Sequence, residues 1–413
     1  MTAPVAVESG FSWLDHRDED AQRAREVLKA LDEGTTVDSI GIGTVRDALA
    51  DVLFPATSTL HTRGRYFLFV PWIYRQVESA RVPSPKAAQV GREHEIRLTD
   101  ALLAGCPDGT QGIIGREARE QLKQLPRVVY WNGVAAMGIR RFPGSIRQYF
   151  QSLDGYYRRV RREVGKEDDA DAVGPGAQNW DPSLPDPPDG WESELSLELT
   201  TDESLYLIDR AQTSLSGTLF AELLGRGRPV EADLPWMIDG QDRLPEDVRR
   251  SLAHARWFSE TIHGAQLLYN LMVAELVAQD GGDSAYVDAY RDQLDEWAAG
   301  VDAAAEERHL WDRDDFWRLV LRRNQRIPHG ARSLVDGWLT AVDGGATGLA
   351  DDPAWREHLL RREIALKKGL ARLRNRRARE LWNGGSGAGQ LNFRWPEAST
   401  EINDIAAGLP AGA

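Results

Sequence analysis

Apolar residues recur every three to four positions along most of the chain, which is the period of an α-helix. In residues 45–53 they occupy positions i, i+3, i+4, i+7 and i+8, so this stretch has one apolar helical face. Residues 245–279 carry the longest such pattern, which predicts the central helix of a bundle. The same period predicts further helices at 18–31, 88–103, 116–125, 144–164, 201–215, 216–224, 284–299, 302–311, 313–324, 330–342 and 353–382.

Two apolar runs are open to more than one interpretation. Residues 66–74 favour a buried helix with Pro71 near its first turn, and a buried strand before Pro71 is the alternative. Residues 128–131 predict a short strand before a turn at Asn132 and Gly133. We therefore expect a mainly α fold, with a helical N-terminal domain that contains a few short strands, followed by a helical-bundle C-terminal domain.

Proline, glycine and charge divide the chain into consecutive parts. Five prolines and many acidic residues mark an acidic linker or long surface loop, which is not expected to be a packed element. A Gly-Gly-Ser-Gly-Ala-Gly run marks a flexible break near the end, after which residues 391–397 could dock back. The expected parts are a flexible N-terminus (1–10), a mostly helical domain (11–165), the linker (166–195), a helical bundle with a basic last helix (196–383) and a C-terminal tail (384–413).

The composition is that of a soluble globular protein, with 42% hydrophobic and 28% charged residues. The single cysteine, Cys106, excludes an internal disulfide and a cysteine-rich zinc site, and it fits a reducing cytosol. The N-terminal residues lack the basic and apolar regions of a signal peptide, and no apolar run is long enough to cross a bilayer. A cytoplasmic protein without membrane contact is therefore expected.

The net charge of −14 is unevenly distributed along the chain. Residues 167–203 hold twelve acidic residues and no lysine or arginine, so the remaining chain is close to neutral. Residues 40–166 carry a charge of +9 and residues 356–380 a charge of +7. Two basic regions suggest an anionic partner such as nucleic acid, and the acidic segment could mask them or bind a basic partner.

The stretch 40–78 combines a glycine turn, a short helix, a proline stop and a polar connector at residues 57–65. Hydroxyls and arginines around Gly64 could hold a phosphate, although the chain has no GxxxxGK[ST] motif. The alternative is a loop whose arginines pair with carboxylates of the same fold. The candidate phosphate ligands here are Thr57, Thr59, Arg63 and Arg65, and the end of the helix 144–164 adds Arg158, Arg159, Arg161 and Arg162.

The helix expected at 353–382 is strongly basic, and few acidic residues lie near its cations. Such a surface suits nucleic-acid phosphates; a solvated face or a dock for the acidic linker are the alternatives. Trp355 and Trp382 could stack on bases or anchor the helix. The candidate contacts are Lys367, Lys368, Arg372, Arg374, Arg376, Arg377 and Arg379, with Arg361 and Arg362 beside them.

Catalytic motifs are not found. Glu260 with His263, and Glu306 with His309, have the E-x-x-H spacing of di-iron carboxylate bundles, but no sequence feature selects the further glutamates that such a site needs. His263 beside a glycine in an apolar helix is more often a satisfied buried histidine. The chain has no G-x-S-x-G or G-x-G-x-x-G motif, and Cys106 has no nearby histidine in the sequence. We expect no catalytic residue, no metal and no cofactor.

Three blocks carry a resemblance to a known family: GIGTVRDALADVLFPATSTLHTRGRYFLFVPWIY, GIIGREAREQLKQLPRVVYWNGVAAMGI and HGAQLLYNLMVAELV. Together with residues 11–15 and 391–397 they resemble a bacterial family catalogued as domain of unknown function 6361. The family supplies no activity and no catalytic residues. The resemblance implies an accessory protein encoded beside helicases and nuclease-like proteins in bacterial defence islands.

Three functions remain open at this point. The leading hypothesis is an accessory nucleic-acid-associated protein of an anti-phage defence system, which the charge distribution and the resemblance together favour. The second is a protein–protein scaffold for a helicase or nuclease partner, without nucleic-acid contact of its own. The third is an enzyme that uses a metal at the E-x-x-H pairs or a phosphate at residues 57–65.

Overall fold

The computed structural model describes residues 38–118, 122–164 and 178–410, and this part of the chain is mainly helical. The predicted helix at 18–31 lies outside the described residues. The α-helices are α1 (Gly43–Leu53), α2 (Tyr66–Ser79), α3 (Ser84–Gly105), α4 (Pro126–Ala136), α5 (Ile146–Val164), α6 (Thr201–Ser214), α7 (Leu219–Gly225), α8 (Glu246–Gln279), α9 (Ala285–Ala303), α10 (Ala305–His309), α11 (Arg313–Arg323), α12 (His329–Asp343), α13 (Pro353–Lys367), α14 (Arg376–Arg379) and α15 (Trp395–Ala407).

The described residues fall into two compact units, each built from segments that are distant in the sequence. Unit I contains residues 38–45, 257–312 and 326–391. Unit II contains the described parts of 46–256, together with 313–325 and 392–410. The consecutive division at a linker between residues 166 and 195 stays a prediction.

Helix α2 is the buried centre of unit II. All nine residues from Tyr66 to Tyr74 are buried, and the helix packs against α3 and α4. The ring of Tyr74 lies edge-on to the ring of Tyr149 in α5, with the centroids 5.8 Å apart. The preferred prediction of a buried helix is therefore confirmed. Pro71 lies inside the helix and beyond its first turn, whereas the sequence predicts it near the first turn.

The short strand predicted at residues 128–131 is wrong, since these residues belong to helix α4. No β-strand occurs in the described ranges; Arg140 and Trp180 form one isolated antiparallel bridge. Pro126 at the start of α4 suits a helix, because a proline there removes only an unused donor. Position 133 requires glycine because the backbone of residue 56 comes close: a Cβ there would lie 2.6 Å from the carbonyl oxygen of Ala56. Gly133 therefore serves packing, and the Asn-Gly pair does not form a turn.

The helix predicted at 116–125 is also wrong for the residues that the structure describes there. The preceding loop turns at Gly112 and Gly115, which both have positive φ. Its backbone is held by tertiary hydrogen bonds: the Ile114 amide donates to Tyr66 Oη at 2.8 Å, and Thr99 Oγ1 donates to the Ile114 carbonyl at 3.0 Å. These tertiary contacts fix the loop that precedes the predicted helix.

Residues 178–195 of the predicted linker and helix α15 of the predicted tail are packed parts of unit II. Residues 178–195 contain no helix, but they bury Trp180, Leu184 and Trp191, and Trp72 Nε1 donates to the carbonyl of Pro185 at 2.7 Å. The expectation of an unpacked linker is therefore corrected for these residues; residues 165–177 lie outside the described part. Near the C-terminus, the sequence predicts docking at 391–397 but not helix α15, whose Trp395 is buried.

Helix α8 packs closely against two tryptophans within unit I. Trp297 Nε1 donates to the carbonyl of Glu260 at 2.8 Å, and Trp338 Nε1 donates to the carbonyl of Thr261 at 2.9 Å. The two indoles stack with their centroids 5.8 Å apart. Gly264 permits this approach, because a Cβ there would collide with the indole ring of Trp297.

A methyl group at position 264 should therefore destabilise the protein. We expect Gly264→Ala to lower the free energy of unfolding by about 1–3 kcal/mol, the usual cost of overpacking a core. Gly300→Ala is the matched control: it lies in α9 with nothing within 4 Å of its Cβ position. That control should gain about 0.5–1 kcal/mol from helix propensity. Urea unfolding measures both, and equal effects of the two changes would contradict the packing.

Candidate functional site

The connector at residues 57–65 points its arginines into the protein. Arg65 is buried, and its NH2 donates to Glu203 Oε1 at 2.7 Å while NH1 donates to the carbonyl of Ser196 at 2.9 Å. Its guanidinium also lies 5.6 Å from the centroid of Phe69. Glu203 is the third residue of α6, where its second oxygen accepts from the backbone of Thr200 in a capping box. Arg65 therefore joins the connector to the start of α6.

Arg63 forms a bidentate pair with Asp404 of α15. Its Nε donates to Asp404 Oδ2 at 2.8 Å and its NH2 to Oδ1 at 2.7 Å, and the amide of Gly64 donates to Oδ2 at 2.8 Å. Hydrogen bonding to Asp404 raises the pKa of Arg63 above its ordinary value, against the opposing effect of burial. The backbone amide that could have met a phosphate is thus occupied by a carboxylate of the same fold.

His61 makes a third link, to Glu401 of the same helix. Its Nδ1 lies 2.6 Å from Glu401 Oε1, and its Nε2 lies 3.2 Å from the carbonyl oxygen of Val129. A carbonyl only accepts, so Nε2 carries a hydrogen. Tyr130 stacks on the imidazole at 4.0 Å between centroids. Burial raises the pKa of Glu401, and the neighbouring His61 opposes that effect.

The hydroxyls of the connector do not complete an anion site either. Thr57 is buried and its Oγ1 donates to the carbonyl of Phe54 at 3.0 Å, whereas Thr59 is exposed. Among the candidate phosphate ligands of the connector, Arg63 and Arg65 are neutralised by carboxylates, and Thr57 is hydrogen-bonded to a backbone carbonyl. The connector therefore has a structural role, which is the alternative interpretation that the sequence left open.

The four arginines at the end of α5 have a different environment. They are exposed, and none forms an ion pair with a carboxylate among the described residues. Arg158 makes a local hydrogen bond, from its Nε to the carbonyl of Asp154 at 3.3 Å. Tyr149, Phe150 and Leu153 are buried on the opposite side of the helix. The members of this α5 arginine row are Arg158, Arg159, Arg161 and Arg162.

The long basic helix predicted at 353–382 is wrong beyond Lys367. Lys368 has φ of +51°, an uncommon conformation for a residue with a side chain; it begins a 3₁₀ turn, and the short helix α14 follows. The helix ends at this point because of Glu363, which is fully buried. Its two carboxylate oxygens accept from the amides of Arg372 and Leu373, both at 2.9 Å, so the chain turns back on α13.

This turn separates structural cations from exposed ones. Arg379 is buried and its NH2 donates to Asp280 Oδ2 at 2.7 Å, while Lys367 Nζ donates to Ser39 Oγ at 3.1 Å. Arg372 NH1 donates to Ser386 Oγ, and exposed Arg376 lies 4.0 Å from Asp280. The remaining candidates are exposed without an ion pair in the described chain: Lys368, Arg374 and Arg377.

The two tryptophans near the ends of this region are anchors. Trp355 lies edge-on to Trp338, and buried Trp382 donates its Nε1 to Asn270 Oδ1 at 3.1 Å. Asn270 also accepts from the amide of Ser386 at 2.9 Å. The glycine-rich run that the sequence predicts as a flexible break is therefore fastened to α8.

A polar cavity of about 420 Å³ lies in unit II, where sequence reasoning places no site. Its walls come from the end of α2, the last turns of α5 and residues 178–182. Glu78 lies in the wall, and its Oε1 accepts from Tyr149 Oη at 2.6 Å and from Trp180 Nε1 and Asn179 Nδ2 at 3.0 Å each. Burial raises the pKa of Glu78, although these donors oppose the shift.

Cations and aromatic rings share the wall of this cavity. Arg75 donates to Asp186 Oδ1 at 3.0 Å, and exposed Arg81 has φ of +50°. Tyr156 and Tyr157 contribute phenol groups from α5. A volume of this size suits a small ligand, since such pockets span about 300–1,000 Å³. The sequence gives no signal for this grouping beyond a Tyr-Tyr pair beside the arginines, because the cavity combines three distant segments.

The E-x-x-H pairs do not form a metal site in the described residues. No group of three or more potential ligands occurs there. His309 is exposed, and its Nδ1 lies 2.6 Å from the carbonyl oxygen of Ala305. His263 is largely buried, and its Nδ1 has no hydrogen-bond partner within the described chain. Burial lowers the pKa of His263 to about 4.

His263 should therefore make the protein sensitive to acid. The folded-state pKa of about 4 lies below the ordinary value of 6.5, so the unfolded state binds the proton more readily. The stability that the neutral ring contributes is complete above pH 6.5 and is lost as the pH falls toward 4. We expect His263→Leu to reduce the loss of unfolding free energy between pH 7 and pH 4.5 by about 1–3 kcal/mol, since one pKa unit is worth about 1.4 kcal/mol. Urea titrations at the two pH values test this, and equal losses in the two proteins would contradict it.

No helix in the described residues has the length and hydropathy of a membrane span. No curated protein and no solved structure matches the chain. One family model does match, over residues 8–408, and its description is a family of unknown function, DUF6361. Because that match covers most of the 413 residues, the chain belongs to the DUF6361 family.

Proposed function

We propose that this protein is an accessory nucleic-acid-binding protein whose phosphate contacts come from the α5 arginine row. The observation that carries the proposal is the exposure of four arginines on one helix without a carboxylate partner among the described residues. Elsewhere in unit II, Arg63 and Arg65 each hold a carboxylate at 2.7 Å. The charge of the α5 row is therefore not neutralised by any carboxylate of the described residues.

The electrostatic interactions within helix α5 favour an external partner for its arginines over a purely structural role. Arginines at the C-terminal end of a helix interact well with its dipole, but that effect reaches only the last turn, which here holds Arg161 and Arg162. Arg158 and Arg162 stand four positions apart, and like charges at that spacing destabilise a helix by about 0.2–0.5 kcal/mol. Phosphates of a nucleic acid would relieve this repulsion and release counterions on binding.

The cavity beside α5 favours a single-stranded nucleic acid as the partner. Tyr156 offers a part-exposed aromatic ring, and exposed Arg81 offers a cation, in the wall of the same cavity. Aromatic rings next to a basic groove are the usual means of binding single strands, because every base can stack. An exposed base would stack on Tyr156 in this cavity.

The test compares two double charge reversals with the same spacing. Arg158→Glu with Arg162→Glu should lower the affinity for a fluorescent single-stranded oligonucleotide at least tenfold at low salt. The slope of log K against log salt should become shallower by about 0.7 for each phosphate that the variant no longer neutralises. Fluorescence polarisation over a salt series measures both quantities.

Arg318→Glu with Arg322→Glu on α11 is the matched control, since it makes the same charge change at the same i, i+4 spacing on another helix of unit II. This control should bind as the wild type does. Absence of binding by the wild type at low salt would end the proposal, as would an equal loss in the two double variants. A duplex of the same sequence, run in parallel, tests the preference for single strands.

The association with bacterial antiviral defence follows from the family resemblance and stays a prediction. The alternative function, a scaffold that holds a helicase or nuclease partner, is favoured by a different observation: unit I carries exposed leucines in its basic segment. Both functions can coexist in one accessory protein, because the two features belong to different units.

A further inference from the structure

Residues 366–381 of unit I present apolar and basic side chains to solvent on one short segment. Leu366, Leu370 and Leu381 are 42%, 74% and 80% exposed. The neighbouring cations Lys368, Arg374 and Arg377 are exposed and have no ion pair within the described residues. We name this set the leucine–arginine surface. Single exposed leucines are common on proteins, but three beside three unpaired cations require an explanation.

The segment is fixed by buried contacts, so its exposed side chains are held in place. Glu363 accepts from the amides of Arg372 and Leu373, both at 2.9 Å, and from Tyr269 Oη at 2.7 Å. Asn375 Nδ2 donates to the carbonyl of Gly369 at 2.6 Å, which closes the turn. Arg379 donates from NH1 to the carbonyl of Arg372 at 2.8 Å.

The outward direction of the leucines follows from their neighbours. Ala371 and Leu373 are buried after Leu370, and Trp382 is buried after Leu381. Trp382 Nε1 donates to Asn270 Oδ1 at 3.1 Å, which anchors the chain directly after Leu381. Lys368 keeps an uncommon backbone conformation, with φ of 51° and ψ of −121°. Such conformations persist only where surrounding contacts impose them, and they cluster at active sites, ligand clamps and switch regions.

We infer that the leucine–arginine surface docks an acidic amphipathic segment of a partner protein. The leucines require an apolar counterpart, and the cations Lys368, Arg374 and Arg377 require carboxylates beside it. Nucleic-acid phosphates would meet the cations but leave the leucines in water. An acidic segment with leucines or aromatic residues on one face satisfies both parts, and the rigid turn reduces the entropic cost of binding.

A defined peptide provides the test. The probe is a fluorescent helical peptide with glutamates on one face and leucines on the other; its control has the same composition in an order that places no leucines on a common face. The full-length protein should bind the amphipathic peptide at least tenfold more tightly than the control peptide.

Two double variants locate the binding. Leu370→Ser with Leu381→Ser should weaken peptide binding at least tenfold, and Arg374→Glu with Arg377→Glu should do the same. Leu310→Ser is the matched control, because Leu310 is 85% exposed elsewhere in unit I, and it should bind as the wild type does. Oligonucleotide binding should be unchanged in the leucine variant, which separates this proposal from the nucleic-acid proposal for α5.

Four results would overturn the inference. The first is equal binding of the two peptides, and the second is an equal loss in Leu310→Ser. The third is a loss of oligonucleotide affinity in Arg374→Glu with Arg377→Glu while peptide binding is unchanged, which would assign the surface to nucleic acid. The fourth is displacement of the peptide by anionic phospholipid vesicles, which would assign the surface to a membrane, or self-association of the protein that Leu370→Ser with Leu381→Ser abolishes, which would assign it to a second copy.

Discussion

Three side chains of the connector at residues 57–65 enter the interior of unit II, and each meets a carboxylate there. Arg65 meets Glu203 of α6, and Arg63 and His61 meet Asp404 and Glu401 of α15. A buried charge without a partner costs several kcal/mol, so the connector, α6 and α15 have to come together if any of them is to be buried. This requirement joins segments that lie more than 130 and 300 residues apart in the sequence.

The same requirement divides the cations of the protein into two classes. Buried arginines with a carboxylate partner, such as Arg65 and Arg379, serve the fold. Arginines such as Arg158 and Arg377 are exposed without an ion pair in the described chain, and these are the ones to which our proposals assign a partner. A high local charge in the sequence does not distinguish the classes, because the neutralising carboxylate is distant along the chain.

Sequence periodicity predicts the long helices well and the irregular parts poorly. The apolar pattern along α2, α5 and α8 reflects the burial of each helix itself. These three helices occur where the sequence predicts them. Part of helix α4 looks like a strand and a turn in the sequence. Position 133 requires glycine because the backbone of Ala56 comes close, and that contact is not visible in the sequence. The break at Lys368 depends on Glu363, whose partners are the amides of residues on the far side of the turn. The cavity at Glu78 could not be predicted for a similar reason, as its donors come from α5 and residues 179–180.

The arginines of the connector bind carboxylates of the same fold and not an external phosphate, and a double-mutant cycle on Arg65 and Glu203 tests this most directly. Each single change to leucine should cost about 3–5 kcal/mol of unfolding free energy, because it leaves the other charge buried alone. The double change should cost at least about 2 kcal/mol less than the sum of the single changes, and oligonucleotide affinity should be unchanged. Additive costs, or a folded double variant that no longer binds the oligonucleotide, would contradict this role for the connector.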